Sequence, residues 1–153
     1  DGGLACLPTL PMAERVNASA KDLNPQGRPL NNTAWWQIEI VSVQVGARKF
    51  GPGQGIVDTG TSMLIVPSFV MGHLNPLIDG VDTCAQAAAQ LPPIIFTLAG
   101  GVEGSVDAEQ YILGDASRDC VYVASLPDAP APDFYVLGDP FFWKYLVAFD
   151  SAN

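Results

Sequence analysis

Positive charge, cysteine, histidine and long apolar runs are all scarce in this chain. Seven lysines and arginines stand against sixteen acids, a formal net charge of -9. Nothing in that balance would neutralise a phosphate backbone, so nucleic acid is excluded as a partner. The same balance suits a protein working in acid, where carboxylates protonate and self-repulsion falls. His73 is the one histidine, and Cys6, Cys84 and Cys120 include no C-x-x-C pair. A zinc site is therefore not expected. The turn acids Asp79, Asp82, Asp107 and Asp115 lack the spacing of a calcium loop, so no metal or other cofactor is expected. No apolar run reaches the length of a bilayer span, so no membrane span is expected in this segment. Asp1-Gly2-Gly3-Leu4 has neither a basic n-region nor an h-region. The expectation is a mature terminus or a cut made within a longer protein.

What is present is a globular composition, 48% hydrophobic and 15% charged, over 153 residues. That length supports one core rather than two. The 15 glycines and 13 prolines fall between short apolar runs, the distribution of many short strands joined by turns. Residues 1–34, broken by Pro8, Pro11, Pro25, Gly27 and Pro29, read as irregular. From Trp35 the pattern changes. Trp36, Ile38 and Ile40 alternate with Gln37, Glu39 and Val41, a half-buried strand continued by Val43 and Val45 to a turn at Gly46. Further strands are expected at Gly55–Asp58, Met63–Val66, Ile94–Leu98, Gly104–Val106, Tyr111–Leu113, Cys120–Ala124, Phe134–Gly138 and Tyr145–Phe149. Ser68 reads as the N-cap of a helix with Phe69, Val70, His73, Leu74 and Leu77 on one face. Ala85–Leu91 is compatible with a short helix or a loop, Asp139–Trp143 with a turn or a helix, and Pro127–Asp133 with a loop. The sum is an all-β, mostly antiparallel domain with one or two short helices.

The chemistry concentrates at Asp58-Thr59-Gly60-Thr61-Ser62, between two apolar strands. A carboxylate there sits at the tip of a tight turn, with Gly60 allowing close backbone approach and two threonine hydroxyls beside it. Such donors favour the charged form of a carboxylate. Taken alone, Asp-Thr-Gly is a polar turn more often than a catalytic loop. Ser62 has no His–Asp partner nearby, which leaves a serine nucleophile unsupported. His73 reads as a packing or surface residue of its helix, and Trp35, Trp36 and Trp143 as core. The sequons at Asn17 and Asn31 permit glycosylation.

In context, Asp58–Ser62 resembles the active-site loop of the pepsin-like aspartic proteases. Val136-Leu137-Gly138 fits the two apolar residues and glycine that thread that loop in the family. Asp139, Phe141, Tyr145, Phe149 and Asp150 extend the match. Trp36-Gln37-Ile38, Leu91–Phe96 and Tyr111-Ile112-Leu113 are similar to further strands of the family's C-terminal lobe. The resemblance covers 35–153, with residues 1–34 leading in and the family's final strand lying beyond Asn153.

The resemblance implies a C-terminal lobe that supplies one catalytic aspartate, Asp58, to an endopeptidase acting on extended peptide or protein substrates. The second aspartate and the tyrosine-bearing flap belong to the family's N-terminal lobe, the implied partner, so the chain alone is expected to be inert. It also implies support of the loop by Thr59, Gly60, Thr61 and Ser62, with Thr59 bonding across the lobe interface and Thr61 bordering the cleft. Ile56 and Val136 would line substrate pockets, although core packing accounts for them equally well. A Cys84–Cys120 disulfide, and residence in the secretory pathway as a secreted or vacuolar/lysosomal protein, follow on the same basis, with Cys6 left over. An apolar strip around Ile56, Val136 and Phe141-Phe142-Trp143 is expected to be exposed without the other lobe. Two rivals remain at this level: an inactive homologue that binds peptides, and a single-lobe homodimer pairing two copies of Asp58.

Overall fold

The computed structural model describes residues 36–79, 81–114, 120, 123–125 and 133–149. The irregular segment 1–34, Trp35, Cys6, both sequons, Asp115, Asp150 and most of the 127–133 loop lie outside the described residues. The fold is mostly β, as the sequence implies. Its strands are β1 (Trp36–Val45), β2 (Arg48–Phe50), β3 (Gly53–Val57), β4 (Leu64–Ile65), β5 (Ile94–Leu98), β6 (Glu103–Val106), β7 (Val123–Ala124) and β8 (Phe134–Leu137). They form one sheet in the order β6-β5-β1-β3-β8-β4-β7, with β2 paired to β1 alone. The pairings are antiparallel except β3 with β8 and β4 with β7, which are parallel. Those two exceptions bracket the Asp58 loop.

The long strand β1 organises the sheet. Its first half pairs with β3, Trp36 opposite Val57, and its second half pairs with β5 and β2. Ile38 and Ile40 point into the core, then Val43 and Val45 do so, a change of parity that a regular strand cannot make. The register against β5 slips between Ile40 and Ser42 and leaves Val41 exposed. One extra residue in the strand restores the inward face. The main core gathers Ile40, Val43, Leu64, Leu74, Phe96 and Leu137, all fully buried. A smaller cluster of Ile56, Phe134 and Val136, with Ile65 against it, is separate from that core. Gln37, expected on a solvated face, is buried, and its amide donates to Gln54 Oε1 at 2.6 Å.

Four α-helices occur among the described residues: α1 (Ser68–Ile78), α2 (Cys84–Gln90), α3 (Ala108–Tyr111) and α4 (Asp139–Phe142). Pro67 rather than Ser68 holds the N-cap position of α1, and no side chain caps it. Only Val70 and Leu74 of its expected apolar face are buried, while Phe69 and Leu77 are exposed. The undecided alanine-rich segment is helical because Thr83 Oγ1 accepts from Gln86 N–H, a side-chain N-cap. The strand expected at Tyr111–Leu113 is corrected: Tyr111 ends α3, Ile112 is its C-cap, and Leu113 alone makes a single β-bridge. Asp107 and Gln110 close a reciprocal capping box that winds the backbone before Tyr111, whose hydroxyl donates to Pro92 O at 2.7 Å. The strand expected at Tyr145–Phe149 is also corrected, since residues 145–149 join no ladder among the described residues. Tyr145 instead anchors through its side chain: its hydroxyl accepts from Ser105 N–H at 2.7 Å and donates to Ser105 O at 3.2 Å.

Candidate active site

Asp58 follows the last residue of β3, and its N–H donates to Leu137 O at 3.1 Å on the parallel neighbour β8. The chain then turns through Thr59–Met63 and returns as β4, which pairs antiparallel to β8 through Ile65 and Val136. The loop is thus anchored to β8 on its way out and on its way back. Gly138, the residue after β8, packs against the loop's inner wall, where an added Cβ would overlap the carbonyl oxygens of Thr61 and Met63. Asp139 N–H then donates to Thr61 O at 2.8 Å, so the start of α4 holds the loop from behind. Glycine is required at 138 by this main-chain approach, not by an unusual φ.

Both oxygens of the half-buried Asp58 carboxylate are engaged. Gly60 N–H donates to Oδ1 at 3.0 Å, and Thr61 Oγ1–H donates to Oδ2 at 2.6 Å. Two donors on different oxygens fix the carboxylate plane rather than leaving it free to rotate. A Cβ on Gly60 would stand 3.3 Å from Oδ1, tight for a carbon beside a charged oxygen. Thr59 and Ser62 are exposed at the loop tip. The loop therefore presents one oriented carboxylate with a hydroxyl donor attached, a geometry able to exchange a proton with a bound group.

The other expected residues fall in two places. Ile56 and Val136 lie opposite each other across β3 and β8 and are buried in the smaller cluster. They are not part of an exposed strip. Phe141 is buried too, and of the expected strip only Trp143, 58% accessible, stands clearly in solvent, so its assignment to the core is corrected. His73 is half-buried on α1, edge-on to Phe50 at 5.7 Å. Cys84, at the start of α2, and Cys120 form a disulfide with Cα atoms 5.4 Å apart. Its 36-residue separation gives a chain-entropy stabilisation of roughly 3–4 kcal/mol. No cluster of three or more metal-ligating side chains occurs among the described residues. Likewise, no helix among them is long and apolar enough to cross a membrane.

Three structural contacts leave no trace in the order of residue types. The Leu137 carbonyl and the Asp139 N–H act on the loop through the main chain, which leaves no trace in residue type. The Gln37–Gln54 bond needs the β1–β3 register before two glutamines 17 residues apart become neighbours. Inside the core, burial, and then the Asp133 carboxylate nearby, push the Tyr135 phenol well above its ordinary range, and burial alone does the same to Tyr111.

A mostly β domain in which a strand-tip Asp-Thr-Gly loop is threaded by a neighbouring strand's glycine is the type of the pepsin-like aspartic proteases. Residues 24–153 match the family model for eukaryotic aspartyl proteases, and the chain belongs to that family. Pepsin A of Suncus murinus is 31% identical over 138 residues, covering 82% of this chain and 35% of that protein. Pepsin A-5 of Mus musculus is 33% identical over 137 residues, with the same two coverages. Napsin-A of Mus musculus is 32% identical over 141 residues, covering 82% of this chain and 33% of its own. The chain spans about a third of the length of the curated relatives it matches.

Proposed function

We propose that this chain is the C-terminal lobe of an aspartic endopeptidase, with Asp58 as one of its two catalytic carboxylates. The observation that carries the reading is the fixed Asp58 carboxylate, held by Gly60 N–H and Thr61 Oγ1 at the tip of a loop backed by Gly138. The match to about a third of each relative's length supports a single lobe, the other being the source of the second aspartate and of the flap. Two carboxylates held close cannot both ionise readily, so they share a proton in acid, aspartic proteases being themselves the standing example of this effect. The ionised member takes a proton from a water lying between them, and that water's oxygen bonds to the scissile carbonyl carbon. The protonated member hydrogen-bonds to the carbonyl oxygen as it gains charge. Collapse then breaks the C–N bond as the leaving nitrogen is protonated, giving a carboxyl and an amine terminus. The titration belongs to the pair, not to Asp58 alone.

In this reading Thr61 orients Asp58 and borders the cleft, Thr59 faces the lobe interface, and Gly60 and Ser62 shape the loop tip. Ile56, two residues before Asp58, and Val136 beside it form the apolar floor next to the substrate. The substrate is an extended peptide or protein segment. The Cys84–Cys120 disulfide supports an oxidising route through the secretory pathway, to a secreted or vacuolar/lysosomal destination. The isolated chain is inert because it carries one half of the dyad.

The test is Asp58→Asn in the two-lobed protein, assayed on denatured haemoglobin in acid with pepstatin in a parallel sample. Activity is expected to collapse by several orders of magnitude with the circular dichroism spectrum unchanged. Turnover retained by a folded Asn variant would remove Asp58 from the dyad. Pepstatin-sensitive cleavage by the isolated chain, rising with the square of its concentration, would put a homodimer in place of the lobe reading.

A further inference from the structure

The face of α1 expected to be wholly internal divides into two rows. Val70 and Leu74 enter the core, while Phe69, His73 and Leu77, spaced four residues apart, run along the outside. Phe69 and Leu77 are 44% and 42% accessible, high for large apolar side chains on a helix that packs against a sheet. Beside this outer row lies β2. Phe50 makes ring contacts with both Phe69 and His73, at 5.7 Å in each case. Between the β1–β2 turn and α1 opens a groove of about 490 Å³, walled by Val45, Arg48, His73, Leu77 and Pro92.

The charge on the rim of this groove runs against that of the chain. Three lysines and arginines fall among the described residues: Arg48, Lys49 and Lys144. Lys144 is paired to Asp107 at 2.7 Å. Arg48 and Lys49 are exposed and have no ion pair among the described residues. Of the two, Arg48 walls the groove, on the face of Val45 and Phe50, while Lys49 sits opposite Gln44 on the other face. The Arg48 guanidinium lies 5.2 Å from the centre of the Phe50 ring, which holds it at the groove edge. Among the described residues of this chain of net charge -9, an anionic ligand finds in Arg48 a cation without an ion pair beside apolar side chains.

We propose that the Arg48 edge and the outer row of α1 form a docking groove for a short acidic peptide segment with aliphatic or aromatic anchors. The anchors enter between Val45, Leu77 and Pro92, and a carboxylate meets Arg48. The groove lies at the Val45 end of β1, whereas the Asp58 loop lies at its Trp36 end, roughly 30 Å away along the strand at about 3.3 Å per residue. An occupant here leaves Asp58 uncovered, so binding in the groove does not block the loop. This placement does not depend on the catalytic reading.

The test uses the full chain at neutral pH and a fluorescein-labelled peptide in which leucines alternate with glutamates. Its counterpart with lysines in place of the glutamates is the control. Fluorescence anisotropy should show saturable binding of the acidic peptide only, weakening as salt is added. Arg48→Glu should reduce affinity by about tenfold and Leu77→Ser by severalfold, with Lys49→Glu on the opposite face changing it much less. Arg48→Gln provides the same comparison should charge reversal unfold the chain. The proposal is overturned by absent saturation, by equal binding of both peptides, or by unchanged affinity in folded Arg48 or Leu77 variants. It is overturned equally if the same substitutions abolish self-association in sedimentation, or if only anionic vesicles bind.

Discussion

The two ends of β1 are built by different means. At the Trp36 end the neighbours are main-chain atoms from distant parts of the sequence: Asp58 N–H on Leu137 O, Asp139 N–H on Thr61 O, and Gly138 against the loop carbonyls. At the Val45 end the neighbours are side chains, Phe50 against Phe69 and His73, and the helix that supplies them leaves half its apolar row in solvent. Main-chain contacts fix a geometry that one added carbon destroys, which is what an oriented carboxylate needs. Side-chain contacts at an open edge tolerate exchange, which is what a variable binding surface needs.

The largest effect should come from breaking the first end. Gly138→Ala sets a Cβ into the Thr61 and Met63 carbonyl oxygens, which belong to main chain and cannot rotate away. The expected loss is about 4 kcal/mol or failure to fold, read from the denaturant midpoint. A loss under about 1 kcal/mol would mean that the loop is not threaded as described.

Next in size is a contrast within α1 at the other end. Leu74→Ala should cost about 2–5 kcal/mol, because Leu74 is fully buried. Leu77→Ala, one turn away, should stay within about 0.5 kcal/mol. Equal losses would place Leu77 in the core and remove the division of the helix into two rows.

The smallest effect concerns pH and the core shared by both ends. Tyr111 and Tyr135 have phenols raised by burial, so the folded chain keeps protons that the unfolded chain releases near the ordinary tyrosine value of about 10. Their contribution is fully present below that pH and is lost as pH rises above it, at up to about 1.4 kcal/mol per pH unit for each tyrosine. Urea melts across this range should steepen in pH dependence above pH of about 10, and Tyr111→Phe should remove about half of the slope. A stability flat with pH in that window would contradict the burial of these phenols.

How far the sequence reveals this molecule follows the same division. The Asp58 loop, its flanking strands and the Val136-Leu137-Gly138 run were legible because residue type and local order carry them. The structure keeps them in those positions. The disulfide pairing came from family resemblance, not from any local pattern. What escaped depends on distant pairing or on competition between local signals. Ile38, Ile40, Val43 and Val45 read as one alternation, although the step from even to odd positions already required the slip near Val41. Tyr111-Ile112-Leu113 has strand-forming residues, but the Asp107–Gln110 capping box, ending on the residue before Tyr111, prevails. Tyr145–Phe149 is a short apolar run that suits a strand, but it joins no ladder among the described residues and reaches edge strand β6 only through the Tyr145 hydroxyl. Gln37 looks like a solvent residue until the register sets Gln54 beside it.

The central claim is that Asp58 is half of a catalytic pair completed by another lobe. Its most direct test is a crystal structure of the two-lobed protein with a statine-containing peptide inhibitor. The account predicts the statine hydroxyl within hydrogen-bond reach, about 2.6–3.2 Å, of the Asp58 carboxylate and of a second aspartate from the other lobe. An inhibitor bound away from Asp58, or an Asp58 facing no second carboxylate, would contradict it.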